Sequence, residues 1–110
     1  MATIRNVPTT SPEALASLID VRPGRVVSMA LSSSDACQLM VMTFDESESV
    51  SEECYFGDTL YYVIEGALEI SQPSGACRLG AGDVFAVGAN IPHAVAAQGS
   101  CKLLQLTIAE

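Results

Sequence analysis

From Arg25 onward the chain is a succession of short β-prone runs cut by turn residues, and this rhythm limits its fold more than any other feature. The runs cover 25–31, 36–44, 59–65, 67–71, 76–79, 83–87, 93–97 and 102–108. Between them lie Ser32-Ser33-Ser34-Asp35, Glu65-Gly66, Gln72-Pro73-Ser74-Gly75, Gly80-Ala81-Gly82 and Gln98-Gly99-Ser100. Such residues accept the left-handed and tightly folded backbone of turns, and Gly66 reads as a tight strand reversal. Eight short strands so spaced predict an all-β sandwich or barrel.

Only the first twenty or so residues carry a helical signal. Thr10-Ser11-Pro12-Glu13 has the form of a capping box, with Thr10 as N-cap, and Ala14, Leu15, Leu18 and Ile19 follow at helical spacing. A short helix is therefore predicted in an N-terminal arm, 1–23, ended by Pro23-Gly24. With 110 residues the chain makes one domain, the arm followed by a barrel over 24–110.

Two runs, Leu39 to Phe44 and Leu103 to Leu106, do not alternate, as strands covered on both faces do not. Hydrophobic residues make up 49% of the chain, a high share for so small a domain, so part of that surface is expected to be covered by a second subunit in a homodimer. Thirteen acidic against five basic residues give a net charge of -8, which repels nucleic acid. The run Asp45, Glu46, Glu48, Glu52, Glu53 reads as a mostly solvated connection. No segment approaches the roughly 20 apolar residues of a membrane helix, so no membrane partner is expected. Cys37, Cys54, Cys77 and Cys101 lack paired spacing and neighbouring histidines, so they read as reduced, mostly packed thiols of a cytoplasmic protein, with Cys54 the most exposed.

Leu60-Tyr61-Tyr62-Val63-Ile64-Glu65-Gly66 and the segment from Gly80 through Gly82, Gly88 and Asn90 to His93 resemble the two conserved motifs of the cupin superfamily, in its small single-domain conserved-barrel form. That resemblance implies a double-stranded β-helix, a jelly-roll-like barrel, with the short N-terminal helix added. In the second motif Gly82 is the first glycine, Gly88 stands for proline, Asn90 for glycine and His93 for histidine, while Ala97 replaces the closing asparagine. Anchoring the first motif on Gly66 puts Glu53, Tyr55 and Thr59 where cupins commonly carry two histidines and a glutamate. His93, the chain's one histidine, is thus the single common metal ligand retained. No cofactor is expected; were a divalent transition metal bound, His93 with Glu53 would hold it.

If Thr59 faces inward as its cupin counterpart does, Tyr61 and Val63 share its face and Leu60 and Tyr62 point away. His93, Val95 and Ala97 would line the same interior. The candidate ligand-binding residues are therefore His93, Glu53, Tyr55, Thr59 and Tyr61, in a mostly apolar chamber with a few polar groups. Each has a plain structural reading beside the functional one: His93 as a hydrogen-bonded interior residue, the tyrosines as aromatic filling, Thr59 as a strand residue, Glu53 as a solvated carboxylate. The expected function is metal-independent binding of a small molecule. The alternatives are a metal-assisted oxygenase or decarboxylase with a substituted ligand set, a metal-free isomerase using His93 as catalytic base, and a non-catalytic partner or scaffold protein, which a bulky residue filling the chamber would favour.

Overall fold

The computed structural model describes residues 3–109. Seven strands follow one another: β1 (Val26–Ser33), β2 (Cys37–Phe44), β3 (Ser49–Glu53), β4 (Asp58–Gln72), β5 (Gly75–Gly80), β6 (Val84–Val87) and β7 (His93–Ile108). Two of them are long. The runs 59–65 and 67–71 fuse into the 15-residue β4, and 93–97 and 102–108 fuse into the 16-residue β7.

Gly66 explains the first fusion. It is no hairpin turn: it lies mid-strand at φ +80°, and a Cβ there would run into the Ser100 carbonyl of β7. Register slips on both sides of it, between Val63 and Glu65 and between Gly66 and Leu68, bend β4 without ending it. Opposite, Gly99 at φ +77° lets β7 bend too. Each long strand thereby serves two sheets. The first half of β4 pairs with the second half of β7 on one side and with β6 on the other, and β2 and β1 extend this sheet beyond β7. The second half of β4 pairs with β5 and with the first half of β7, whose other neighbour is β3. Every pairing is antiparallel, and the two sheets close over a core that includes Phe44, Tyr61, Val63, Leu68, Ile70 and Leu103.

The acidic connection contains β3, which the sequence conceals because only Val50 of its five residues escapes full exposure. The expected N-terminal helix is reduced to a single 3-10 turn, Leu15–Ser17, whose N-cap is Ala14 with no side-chain cap. Barrel side chains take the carbonyls a longer helix would use: Lys102 Nζ donates to Ala16 O at 2.6 Å and Thr43 Oγ1 to Asp20 O at 3.2 Å. The arm instead lays Leu15 and Ile19 against Leu31, Val41 and Leu104, forming a second apolar cluster on the outside of the sheet. This packing covers one stretch of the unalternating runs.

Candidate functional site

Cross-strand register sorts the barrel interior into rows. Thr59 of β4 sits beside Thr107 of β7 and Val87 of β6, and the next row holds Tyr61, Gln105 and Phe85. One row further on, Val63 and Leu103 begin the wholly apolar half of the core. The interior thus has two ends, one of Leu, Ile, Val and Phe, the other of hydroxyls, an amide and an imidazole. His93 enters the polar end from the start of β7, paired with Glu53 at the end of β3.

The polar groups there satisfy one another. Tyr61 Oη lies 2.7 Å from His93 Nε2, and His93 Nδ1 lies 3.0 Å from the Ile91 carbonyl oxygen. A carbonyl can only accept, so Nδ1 carries a hydrogen, and in the neutral ring Nε2 is then the bare nitrogen, accepting from the Tyr61 hydroxyl. The Thr59 and Thr107 hydroxyls are 3.0 Å apart, and Tyr55 hydrogen-bonds Gln105. Tyr55 and Tyr61 both meet the His93 ring edge-on, with centroids 5.6 and 5.7 Å away. Among the described residues no buried side-chain nitrogen or oxygen lacks a partner.

Burial grades this cluster from inside to out. Tyr61 and Thr59 are 1% exposed and His93 3%, Tyr55 is half-buried, and Glu53 is exposed at the rim. Burial holds both phenols above the usual tyrosine range, with Glu53 adding to the shift in each; for Tyr55 the bond to Gln105 acts in the opposite sense. Tyr61 therefore stays a protonated donor to His93. The five sequence-derived residues do gather at one end of the barrel, but Thr59, Tyr61 and His93 are packed in and a ligand arriving from solvent meets Tyr55 and Glu53 first. Leu60 points outward as the alternation requires, at 37% exposure.

Gln105 and Thr107 complete the cluster and were not singled out from the sequence. Their signal was a polar residue at every second position of an otherwise apolar run, Leu103-Leu104-Gln105-Leu106-Thr107-Ile108, in register with Tyr61 and Thr59.

A transition metal does not suit this donor set. His93 is the one imidazole of the chain, Glu53 is exposed at the rim, and the described residues contain no group of three or more His, Cys, Asp or Glu side chains placed to hold an ion. Cys54, adjacent in sequence, is exposed.

Comparison with known proteins agrees with the geometry. The cupin domain model matches residues 40–108. A crystal structure of a cupin superfamily protein from Desulfitobacterium hafniense shares 43% identity and superposes with a TM-score of 0.95, covering 99% of this chain and 100% of that one. A conserved protein of unknown function from Streptococcus pyogenes has the same fold at 20% identity, with a TM-score of 0.95 and coverage of 100% and 96%. A cupin 2 conserved barrel domain protein from Leptotrichia buccalis is 27% identical with a TM-score of 0.84, over 86% of this chain and 46% of its own. No curated protein matches the chain. With a family model spanning most of its length and a close relative over nearly all of it, the chain belongs to the cupin superfamily.

Proposed function

We propose that this cupin binds a small organic molecule at the polar end of its barrel, without a resident metal. The observation that carries the proposal is the division of the interior: Thr59, Tyr61, His93, Gln105 and Thr107 are buried together at one end, continued to solvent by Tyr55 and Glu53. A core built only for stability gains most from apolar side chains, so a collected set of hydrogen-bonding groups beneath a half-open aromatic is the feature of a recognition site. Tyr55 is the first contact, and the ligand reaches Nε2 of His93 by replacing the Tyr61 hydroxyl. The four free thiols suit a reducing, cytoplasmic setting.

One observation favours a catalytic variant of this reading. His93 is oriented by a carbonyl at Nδ1, which leaves Nε2 of the neutral ring as an acceptor, the arrangement of a general base, so a metal-free isomerisation by proton transfer is the reaction the site suits better than metal-assisted oxygenation or decarboxylation.

A thermal-shift screen of sugars, amines, carboxylic acids and aromatic acids, followed by NMR of the one imidazole, tests the proposal. A binder should move the His93 ring signals and weaken at least about tenfold in Tyr55→Ala. Hits that leave His93 unmoved, or no hit at all, would sink it. For the catalytic variant, His93→Gln should abolish turnover of a bound substrate while binding falls only modestly.

A further inference from the structure

The end of β3 and the loop after it set an unpaired carboxylate against the barrel mouth. Glu53 closes β3 and is the ladder partner of His93, the first residue of β7. Tyr55, two residues on, lies edge-on to the same imidazole at 5.6 Å and is half-buried, so part of its ring packs inward and part meets solvent. Burial is the main cause that raises the phenols of Tyr55 and Tyr61, and Glu53 adds to it in each, so its carboxylate stands near both. The protein supplies that carboxylate with no counterion. Among the described residues the one ion pair joins Lys102 to Glu65.

Charge and donor type select the guest. The chain's five basic residues are Arg5, Arg22, Arg25, Arg78 and Lys102, and none falls in 53–61, 85–93 or 105–107, the stretches that build the polar end. A carboxylate or phosphate would therefore approach Glu53 with like charge and find no cation there to balance it, on a chain that carries -8. A neutral sugar would leave Glu53 unused. An ammonium group suits both features of the rim: its N–H hydrogens fit a carboxylate, and a cation gains from the face of a tyrosine ring. The geometry points to a small organic amine as the guest, bound as its ammonium ion between Glu53 and Tyr55 with its uncharged remainder directed at His93. This choice of ligand class rests on the binding proposal above.

Titrating the whole protein at neutral pH with benzylamine, benzyl alcohol and benzoate, probes of similar size and different charge, tests it when the His93 ring signals are followed by NMR. Benzylamine should bind at least about tenfold more tightly than either counterpart, and the margin should shrink as salt is raised, because screening weakens an exposed ion pair. Glu53→Gln should lose about fivefold in affinity for benzylamine and little for benzyl alcohol, while Glu52→Gln, exposed next to it, should lose far less. Benzyl alcohol or benzoate moving His93 at concentrations as low as benzylamine, an undiminished amine preference in Glu53→Gln, or an equal loss in Glu52→Gln would each overturn the choice of an amine while binding at the polar end stood. The wild-type comparison decides the matter even where Glu53→Gln does not fold. His93 signals unmoved by both benzylamine and butylamine would overturn it as well, and the wider ligand screen alone would then bear on the binding proposal.

Discussion

Tyr61 donates its phenol hydrogen to the bare nitrogen of His93, 2.7 Å away inside the barrel, and so fixes the ring that the Ile91 carbonyl orients from the other side. The two residues are 32 positions apart and come from strands β4 and β7. Their bond is the innermost link between the rim, where Tyr55 and Glu53 meet solvent, and the apolar half of the core.

Removing the hydroxyl alone tests that link. Tyr61→Phe leaves Nε2 buried without a donor and should cost about 1–3 kcal/mol in urea unfolding. His93→Leu orphans the Tyr61 hydroxyl at a similar cost, and the double variant should cost less than the sum of the two. Strict additivity in that cycle would mean that the bond contributes nothing.

Alkali should destabilise the fold in two stages. Burial pushes the Cys101 thiol up to about 11 from an ordinary 9.0. The folded form therefore keeps its proton after the unfolded chain has lost it, and stability present below pH 9.0 falls by about 2–3 kcal/mol as pH rises towards 11. The phenols of Tyr55 and Tyr61, also raised, extend the loss upward from 10.0. Urea unfolding at a series of pH values should show both stages, and Cys101→Ala should flatten the first only.

Acid acts on the turn before β1. The Gly24 N–H donates to Asp45 Oδ2 at 2.6 Å and, with the Glu46 N–H, holds that carboxyl below its ordinary 3.8. This contribution is present above 3.8 and is lost as pH falls through the lower, folded value. The Gly24 amide resonance should follow the titration, and Asp45→Asn should abolish that response.

Two glycines with similar backbone angles should behave very differently. Gly24 at φ +67° has nothing within 4 Å of a Cβ, so Gly24→Ala should cost about 1–2 kcal/mol for the left-handed conformation alone. Gly66 at φ +80° faces the Ser100 carbonyl, which is backbone and cannot swing aside, so Gly66→Ala should lower yield of folded protein sharply. Equal thermal shifts in the two variants would contradict the role of Gly66 in the bend.

The barrel was legible because its turn residues and alternation are local signals, and the parity of Thr59, Tyr61 and Val63 against Leu60 and Tyr62 held in the fold. What failed to show was decided at a distance. Gly66 looks the same in a reversal and in a bend, and only the nearness of Ser100 distinguishes them. The helical spacing of Leu15, Leu18 and Ile19 lost to a lysine and a threonine far along the chain that claim the arm's carbonyls. β3 has too little burial to leave a pattern. At the site, Glu53, Tyr55, Thr59, Tyr61 and His93 could be gathered by motif and parity, whereas the pairing of Tyr61 with His93 and of Tyr55 with Gln105 depends on how two sheets close.

The mutual satisfaction of the polar end also bears on how such a protein changes over time. Thr59 with Thr107, Tyr61 with His93 and Tyr55 with Gln105 leave no buried group among the described residues waiting for an outside partner. A barrel of this kind needs no guest to stand. Substitutions at the rim, at Tyr55 and Glu53, can then alter what the barrel mouth offers to solvent while the frame beneath keeps its strength.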